Sequence, residues 1–215
     1  MPIAKDSLVA RFEGQVIAMF GVEWQRQRGL APLRRIAIVD DVPQDQYLRP
    51  EFVLAQQMLI RHGIAAVICD PQALIPSEAG LMLDGQPVDL AYNRLVDFDI
   101  SKPRRGALRD AYQTGAVVLT PNPHNNALLA HKRNLTLLSD PAALSALGGS
   151  RTLAARLESI PQTRMVTSEN AAELWQNRRH LLFKPVSGHG GKAVYLGDKL
   201  TKSVWADITR AAYVA

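Results

Sequence analysis

Residues Leu181–Gly197, LLFKPVSGHGGKAVYLG, hold the densest chemistry in the chain: lysines and a glycine cluster set between two apolar runs. Phe183, Val186, Val194 and Tyr195 favour extended backbone. Gly188, Gly190 and Gly191 let a turn approach a ligand without Cβ interference. Lys184 and Lys192 add compact positive charge, so the stretch is suited to gripping a polyphosphate. The Walker pattern GxxxxGK[ST] does not fit, because it needs glycine at Val186 and a hydroxyl at Ala193. Gly188 to Ala193 matches the dinucleotide pattern GxGxxG/A, but that motif opens a helix, and AVYLG reads as a returning strand. What remains is strand, glycine loop, strand: a flap able to fold over phosphates.

Other chemistries are poorly supported. His62, His124, His131, His180 and His189 lack metal-ligand spacing such as HExxH, and one cysteine cannot complete a structural zinc site. Cys69 sits in the apolar run IAAVICD, where a thiolate is disfavoured, and no GxSxG elbow presents a serine nucleophile. The formal charge of +5 and pI near 9.6 come from scattered pairs, Arg34/Arg35, Arg104/Arg105, Lys132/Arg133 and Arg178/Arg179, which read as solvated faces or anion contacts. Without a reader motif or an aromatic platform, nucleic acid is not an expected partner. With no disulfide pair, no apolar run of spanning length and no signal-like start, a cytoplasmic protein off the membrane is expected.

The elements that must position the loop follow from hydrophobic patterning. The 215 residues are 47% hydrophobic and 21% charged, ordinary for globular domains. Leu8, Phe12, Ile17 and Phe20 suggest one stripe of an amphipathic helix. RIAIVDD from Arg35 reads as a buried strand, Pro50 to His62 as a helix stopped at Gly63 with Phe52, Leu54, Met58 and Leu59 near one side, and IAAVICD as a second strand. LMLDGQPV carries an Asp84-Gly85 turn, VDLAYNRL is a further strand, and a helix over Pro103 to Gln113 leads to the strand AVVLT. PNPHN, Pro121 to Asn125, marks a boundary between domains 1–121 and 122–215. Beyond it we expect a helix carrying NALLAHKRNLTLL, a short helix near Leu153 to Leu157, a strand QTRMV and a helix started by Ser168. The glycine hairpin then precedes a last helix through VWADITRAAYVA, whose mostly apolar end reads as cut short.

Taken in order, RIAIVDD, VDLAYNR, TPNPHNNALLAHKRNL and LLFKPVSGHGGKAVYLG resemble ATP-grasp proteins of the glutathione-synthase-like group, over most of the chain after Arg34. The resemblance implies an α/β fold: a three-layer, Rossmann-like pre-ATP-grasp domain followed by an incomplete α+β ATP-grasp subdomain. It also implies ATP contacts from Lys132 and Lys184, with Ser187, Gly188, His189, Gly190 and Gly191 covering the phosphates and Lys192 beside them. By position, Asp40, Asn93 and Arg94 become candidates for binding a small carboxylic acid or peptide-like substrate, the arginine by a bidentate grip. The acidic and amide residues that bind Mg²⁺ in the family have no counterpart after Tyr195, since Asp198 and Asp207 lie too close to the flap. Metal ligands are therefore expected outside this chain, which reads as a fragment or a degenerate relative.

Plainer roles compete at each position. Lys184 also fits the polar face of a half-exposed strand, Lys132 a helix's polar face, and Lys192 a solvated hairpin. Asn93-Arg94 also fits a capping and surface pair, and Asp40-Asp41 the start of a turn with Pro43. Three functions stay open: an ATP-dependent carboxylate–amine or carboxylate–thiol ligase working through an acyl phosphate, a non-catalytic nucleotide- or anion-binding module, and a structural α/β interaction protein. No catalytic residue is assigned, and homo-oligomerisation is left open.

Overall fold

A computed structural model describes residues 8–78 and 80–215. The chain divides into two compact units, Met1–His124 and Asn125–Ala215.

The first unit runs α1 (Leu8–Arg28), β1 (Arg35–Val39), α2 (Arg49–Arg61), β2 (Ala65–Cys69), β3 (Ile75–Ser77), β4 (Gly80–Leu83), β5 (Gln86–Pro87), β6 (Leu90–Asn93), α3 (Gly106–Gln113) and β7 (Val118–Thr120). Its main sheet is parallel, ordered β2-β1-β6-β7, with Ile36 opposite Ala66 and Leu90, and Ala91 opposite Leu119. Alternate residues of β1 feed two cores, as the two-residue strand period requires. Ile36 and Ile38 pack with Phe20 and Trp24 of α1 and Phe52, Met58 and Leu59 of α2. Ala37 and Val39 pack with Leu108 and Ala111 of α3 and Leu81 and Leu83 of β4. Helices thus cover both faces, the three-layer arrangement expected of alternating β and α segments. The Asp84-Gly85 turn joins β4 to β5, both residues at positive φ (53° and 70°). Asp89 pins the entry to β1, its Oδ2 accepting from Arg34 N at 2.7 Å and Arg35 N at 2.8 Å.

Two helical stripes differ from expectation. The residues of α1 that face the sheet are Glu13, Val16, Ile17, Phe20 and Trp24, whereas Leu8 and Phe12 are exposed. At about 100° per residue, Phe12 lies roughly 100° and Leu8 roughly 140° around the helix from Glu13, outside that face. Likewise Leu54 is exposed, lying roughly 160° around α2 from buried Phe52. No described helix is long and apolar enough to cross a membrane.

The second unit carries α4 (Pro123–Leu129, which begins at the boundary), α5 (Asn134–Leu138), α6 (Pro141–Ala146), α7 (Arg151–Leu157), α8 (Ala171–Asn177), β8 (Leu182–Pro185), β9 (Tyr195–Leu196), α9 (Lys202–Arg210) and β10 (Tyr213–Val214). Its sheet is antiparallel, ordered β10-β8-β9. Phe183, Val166, Leu174, Ile208 and Tyr213 form the core beneath it. The expected last helix ends at Arg210, and Tyr213–Val214 turn back as a strand against Lys184 and Pro185. There Val166 N donates to Tyr213 O (2.9 Å), and Arg164 and Ala215 exchange two 2.9 Å bonds, so of the expected strand QTRMV only the end pairs. Tyr213 and Val214 are buried, so the apolar end that read as a broken helix is core-forming strand.

The largest departure from a simple reading is Arg105, which is fully buried. Its guanidinium is ion-paired to Asp41 after β1 and to Asp97 after β6. Its neighbour Arg104 is the solvated member of the pair, bonded to Asp70 at 3.0 Å. Removing one partner of a buried ion pair strands the others, a cost of about 3–5 kcal/mol. Arg105→Met is therefore expected to lower the unfolding free energy of the first unit by about that much. Arg104→Met should change it by less than about 1 kcal/mol, both read from urea denaturation.

Candidate functional site

The glycine loop is held at both ends and open in the middle. Val186, just past β8, donates its N–H to Ala212 O (3.0 Å) and accepts from Lys132 N (2.8 Å). On the return side, the Tyr213 hydroxyl donates to Ala193 O at 3.2 Å, and Tyr213 stacks on Tyr195. Between these anchors the chain turns through positive φ at Gly188 (124°), Gly190 (64°), Gly191 (70°) and Ala193 (57°). That run of left-handed backbone is what the glycines permit. Two backbone bonds cross the turn, Lys192 N to His189 O and Val194 N to Gly191 O, both 3.3 Å. Among the described residues, the N–H groups of Ser187, Gly188, Gly190 and Gly191 donate to no backbone carbonyl.

The structure brings Lys132, Lys184 and Lys192 to the loop, where with Gly188–Gly191 they line a cavity of about 440 Å³. Lys132 Nζ donates to Gly188 O at 3.1 Å, using one of its three donors on the loop itself. Neither Lys184 nor Lys192 has a side-chain hydrogen bond or ion pair among the described residues. Ser187 is exposed and His189 is half-buried within the same turn. Lys132 is not on a helix as expected: the predicted long helix is broken between α4 and α5. The Asn134 amide caps Leu128 O at 2.7 Å, and Lys132 N is committed to Val186, so the helical hydrogen-bond ladder cannot pass through. A larger cavity of about 540 Å³ lies over Asp140 and Arg164, but that arginine is already paired with Glu173 at 2.7 Å.

Asp40, Asn93 and Arg94 fall in the other unit, at the carboxyl ends of β1 and β6. Asn93 is buried and bonded at both ends of its amide, Nδ2 donating to Pro121 O (3.2 Å) and Oδ1 accepting from Leu95 N (3.1 Å). Asp40 is buried too, its Oδ1 accepting from Asp41 N at 2.8 Å. Burial pushes its carboxyl above the usual carboxylate range, against the lowering pull of that N–H and of Arg94 and Arg105. Arg94 is half-buried and pairs with Glu51 (2.8 Å) and the Tyr92 hydroxyl (3.2 Å). Sequence reasoning missed Arg105, Asp97 and Glu51. Arg105 stands just ahead of α3, three residues before buried Leu108. Cys69 is no nucleophile, because burial first of all pushes its thiol up to about 12.

No protein-family model and no curated protein matches the chain. Among solved structures, a glutathione synthetase-like effector from Globodera pallida, in its apo form, aligns with a TM-score of 0.56 at 14% identity. The chain has an ATP-grasp, glutathione-synthase-like fold. The alignment covers 94% of this chain and 44% of the effector, so the chain spans less than half that protein's length. The ATP-grasp ligase PsnB, complexed with minimal precursor, Mg and ADP, aligns at a TM-score of 0.43 with 16% identity, over 83% of this chain and 63% of that one. D-cycloserine synthetase DcsG aligns at 0.40 with 18% identity, over 84% and 57%. Within this ATP-grasp fold no group of three His, Cys, Asp or Glu side chains converges among the described residues. The donor set at the loop is cationic and N–H-rich, which fits an anion and does not fit a metal ion.

The raised Asp40 pKa has a consequence for stability. The folded state favours the protonated form, so this group's contribution is full below the ordinary value of 3.8 and is lost as pH rises through its higher folded value. Asp40→Asn, which keeps an acceptor for Asp41 N, is expected to be more stable than the parent at pH 7. The difference should shrink as pH is lowered toward 3.8, measured by paired urea titrations.

Proposed function

We propose that the second unit binds the polyphosphate of ATP beneath the glycine loop, and that the chain serves an ATP-dependent ligation of a carboxylic acid to an amine or thiol. The observation that carries this reading is the convergence of Lys132, Lys184 and Lys192 with unpaired loop N–H groups on one cavity. Lysine ammonium groups and successive backbone N–H groups form a concavity of positive potential suited to phosphate oxygens. Lys132 would steady the loop through Gly188 while Lys184 and Lys192 meet the phosphates directly. Leu182 and Lys184 also line an adjoining cavity of about 360 Å³ with Leu181 and Val214, which offers an apolar surface for the base.

In such a ligation the terminal phosphoryl passes to the acid, giving an acyl phosphate, and the amine or thiol then displaces phosphate. The residues here would act by holding and neutralising charge on the moving group. The Mg²⁺ that this chemistry uses finds no fitting ligand set among the described residues, so no step is assigned to it. That same observation favours a second reading, a nucleotide-binding module without turnover.

Titration of Mg·ATP into the wild type and into Lys184→Ala, followed by calorimetry, tests the site. A charge-assisted bond to phosphate is worth about 1.5–3 kcal/mol, so the variant should bind roughly 10- to 150-fold more weakly. Equal binding by both proteins, or by neither, would overturn the nucleotide reading. Binding without ADP release in the presence of acids and amines would favour the second reading over the first.

A further inference from the structure

Two consecutive residues, Ala212 and Tyr213 at the start of β10, hold both limbs of the glycine loop. Ala212 O accepts the N–H of Val186 at 3.0 Å where the chain departs, and the Tyr213 hydroxyl donates to Ala193 O at 3.2 Å where it returns. Ala193 is the odd member of the turn. Its φ of 57° lies in the left-handed region, like those of Gly190 (64°) and Gly191 (70°). A glycine takes that conformation freely, whereas the Cβ of an alanine crowds the following carbonyl oxygen. A residue other than glycine stays there only where its surroundings hold it, and such residues gather at ligand clamps. The bond within the turn, Val194 N to Gly191 O at 3.3 Å, is long for an N–H···O bond and gives Ala193 a weak hold.

We propose that Tyr213 is the positioning residue of the glycine loop: its hydroxyl keeps Ala193 left-handed and so sets the turn in its ligand-ready shape before an anion arrives. The use of that shape rests on the nucleotide reading; the hold on Ala193 does not. The hydroxyl is carried on a fixed frame. Tyr213 is buried in the core of the second unit with Phe183, Leu174 and Ile208, it pairs with Pro185 of β8, and its carbonyl accepts from Val166 N at 2.9 Å. Its ring stacks on Tyr195, 6.4 Å between centroids, and Tyr195 is in turn paired with Phe183 across β8 and β9. The donor therefore belongs to the sheet and the acceptor to the loop. Burial first of all raises the hydroxyl above its ordinary value of 10.0, with the charges of Tyr195 and Asp207 acting the same way, so it remains a donor through neutral pH. A loop fixed in advance loses less conformational freedom when its ligand arrives, and binds more tightly for it.

Tyr213→Phe removes the hydroxyl and keeps the ring. In the empty variant, heteronuclear nitrogen-15 NOE values at Lys192, Ala193 and Val194 should fall, while those of β8 and α9 stay as in the wild type. By calorimetry, Mg·ATP should bind the variant about fivefold more weakly, the loss of one hydrogen bond. Ala193→Gly separates this hold from a packing role, because glycine occupies the left-handed region unaided. In that background, removing the hydroxyl should weaken binding by about twofold or less. Unchanged NOE values in Tyr213→Phe would overturn the proposal, as would an equal loss of affinity in the alanine and glycine backgrounds. If the wild type itself binds no Mg·ATP, the nucleotide reading fails, and the NOE values alone decide whether Tyr213 holds the loop.

Discussion

A polar group withdrawn from water must be met by a partner, and this constraint shapes both units. In the first it is enforced by Arg105. A guanidinium without solvent exposure requires nearby negative charge, and Asp41 and Asp97 supply it from the loops after β1 and β6. Those ion pairs join the carboxyl ends of two central strands to the start of α3. Asp40, Asn93 and Arg94 inherit their positions from that arrangement. In the second unit the constraint acts through Val186, whose N–H and carbonyl are claimed from opposite sides by Ala212 and Lys132. The loop that follows is anchored at its root, and across its crown the N–H groups of Ser187, Gly188, Gly190 and Gly191 donate to no backbone carbonyl among the described residues.

The sequence made the local elements legible where one physical signal dominated. Apolar runs such as RIAIVDD and IAAVICD have no competing reading as surface segments, and their strands are β1 and β2. The glycine cluster likewise announced a positive-φ turn between two strands, and the structure has one. The failures lie where a distant partner decided the outcome. A helix through Lys132 is locally reasonable, yet the bond to Val186, far along the chain, stops it. Tyr213 and Val214 end a segment that patterns as helix, but the open edge of β8 pairs with them. Arg105 reads as half of a solvated basic pair until Asp41 and Asp97 are brought around it. Periodicity carries no information about such pairings, because it is measured within one segment.

The candidate site lies where donors have no protein partner among the described residues. The crown of the glycine loop presents backbone N–H groups and two lysines whose ammonium groups have no protein partner among the described residues. These donors face solvent and are hydrated in the empty protein, so an anion there would exchange their waters for its own oxygens. The glycines serve the same end, since they keep the backbone exposed and let it curve around the cavity. Lys132 contributes from the side by tying its ammonium to Gly188 O.

The central claim is that the backbone of the loop crown itself grips phosphate. Hydrogen–deuterium exchange across residues 186–194, with and without saturating Mg·ATP, tests it directly, because a donated N–H exchanges slowly and a free one quickly. The account predicts fast exchange at Gly188, Gly190 and Gly191 in the empty protein and marked slowing when nucleotide is added. Exchange that stays equally fast at all three glycines with nucleotide in excess would contradict it.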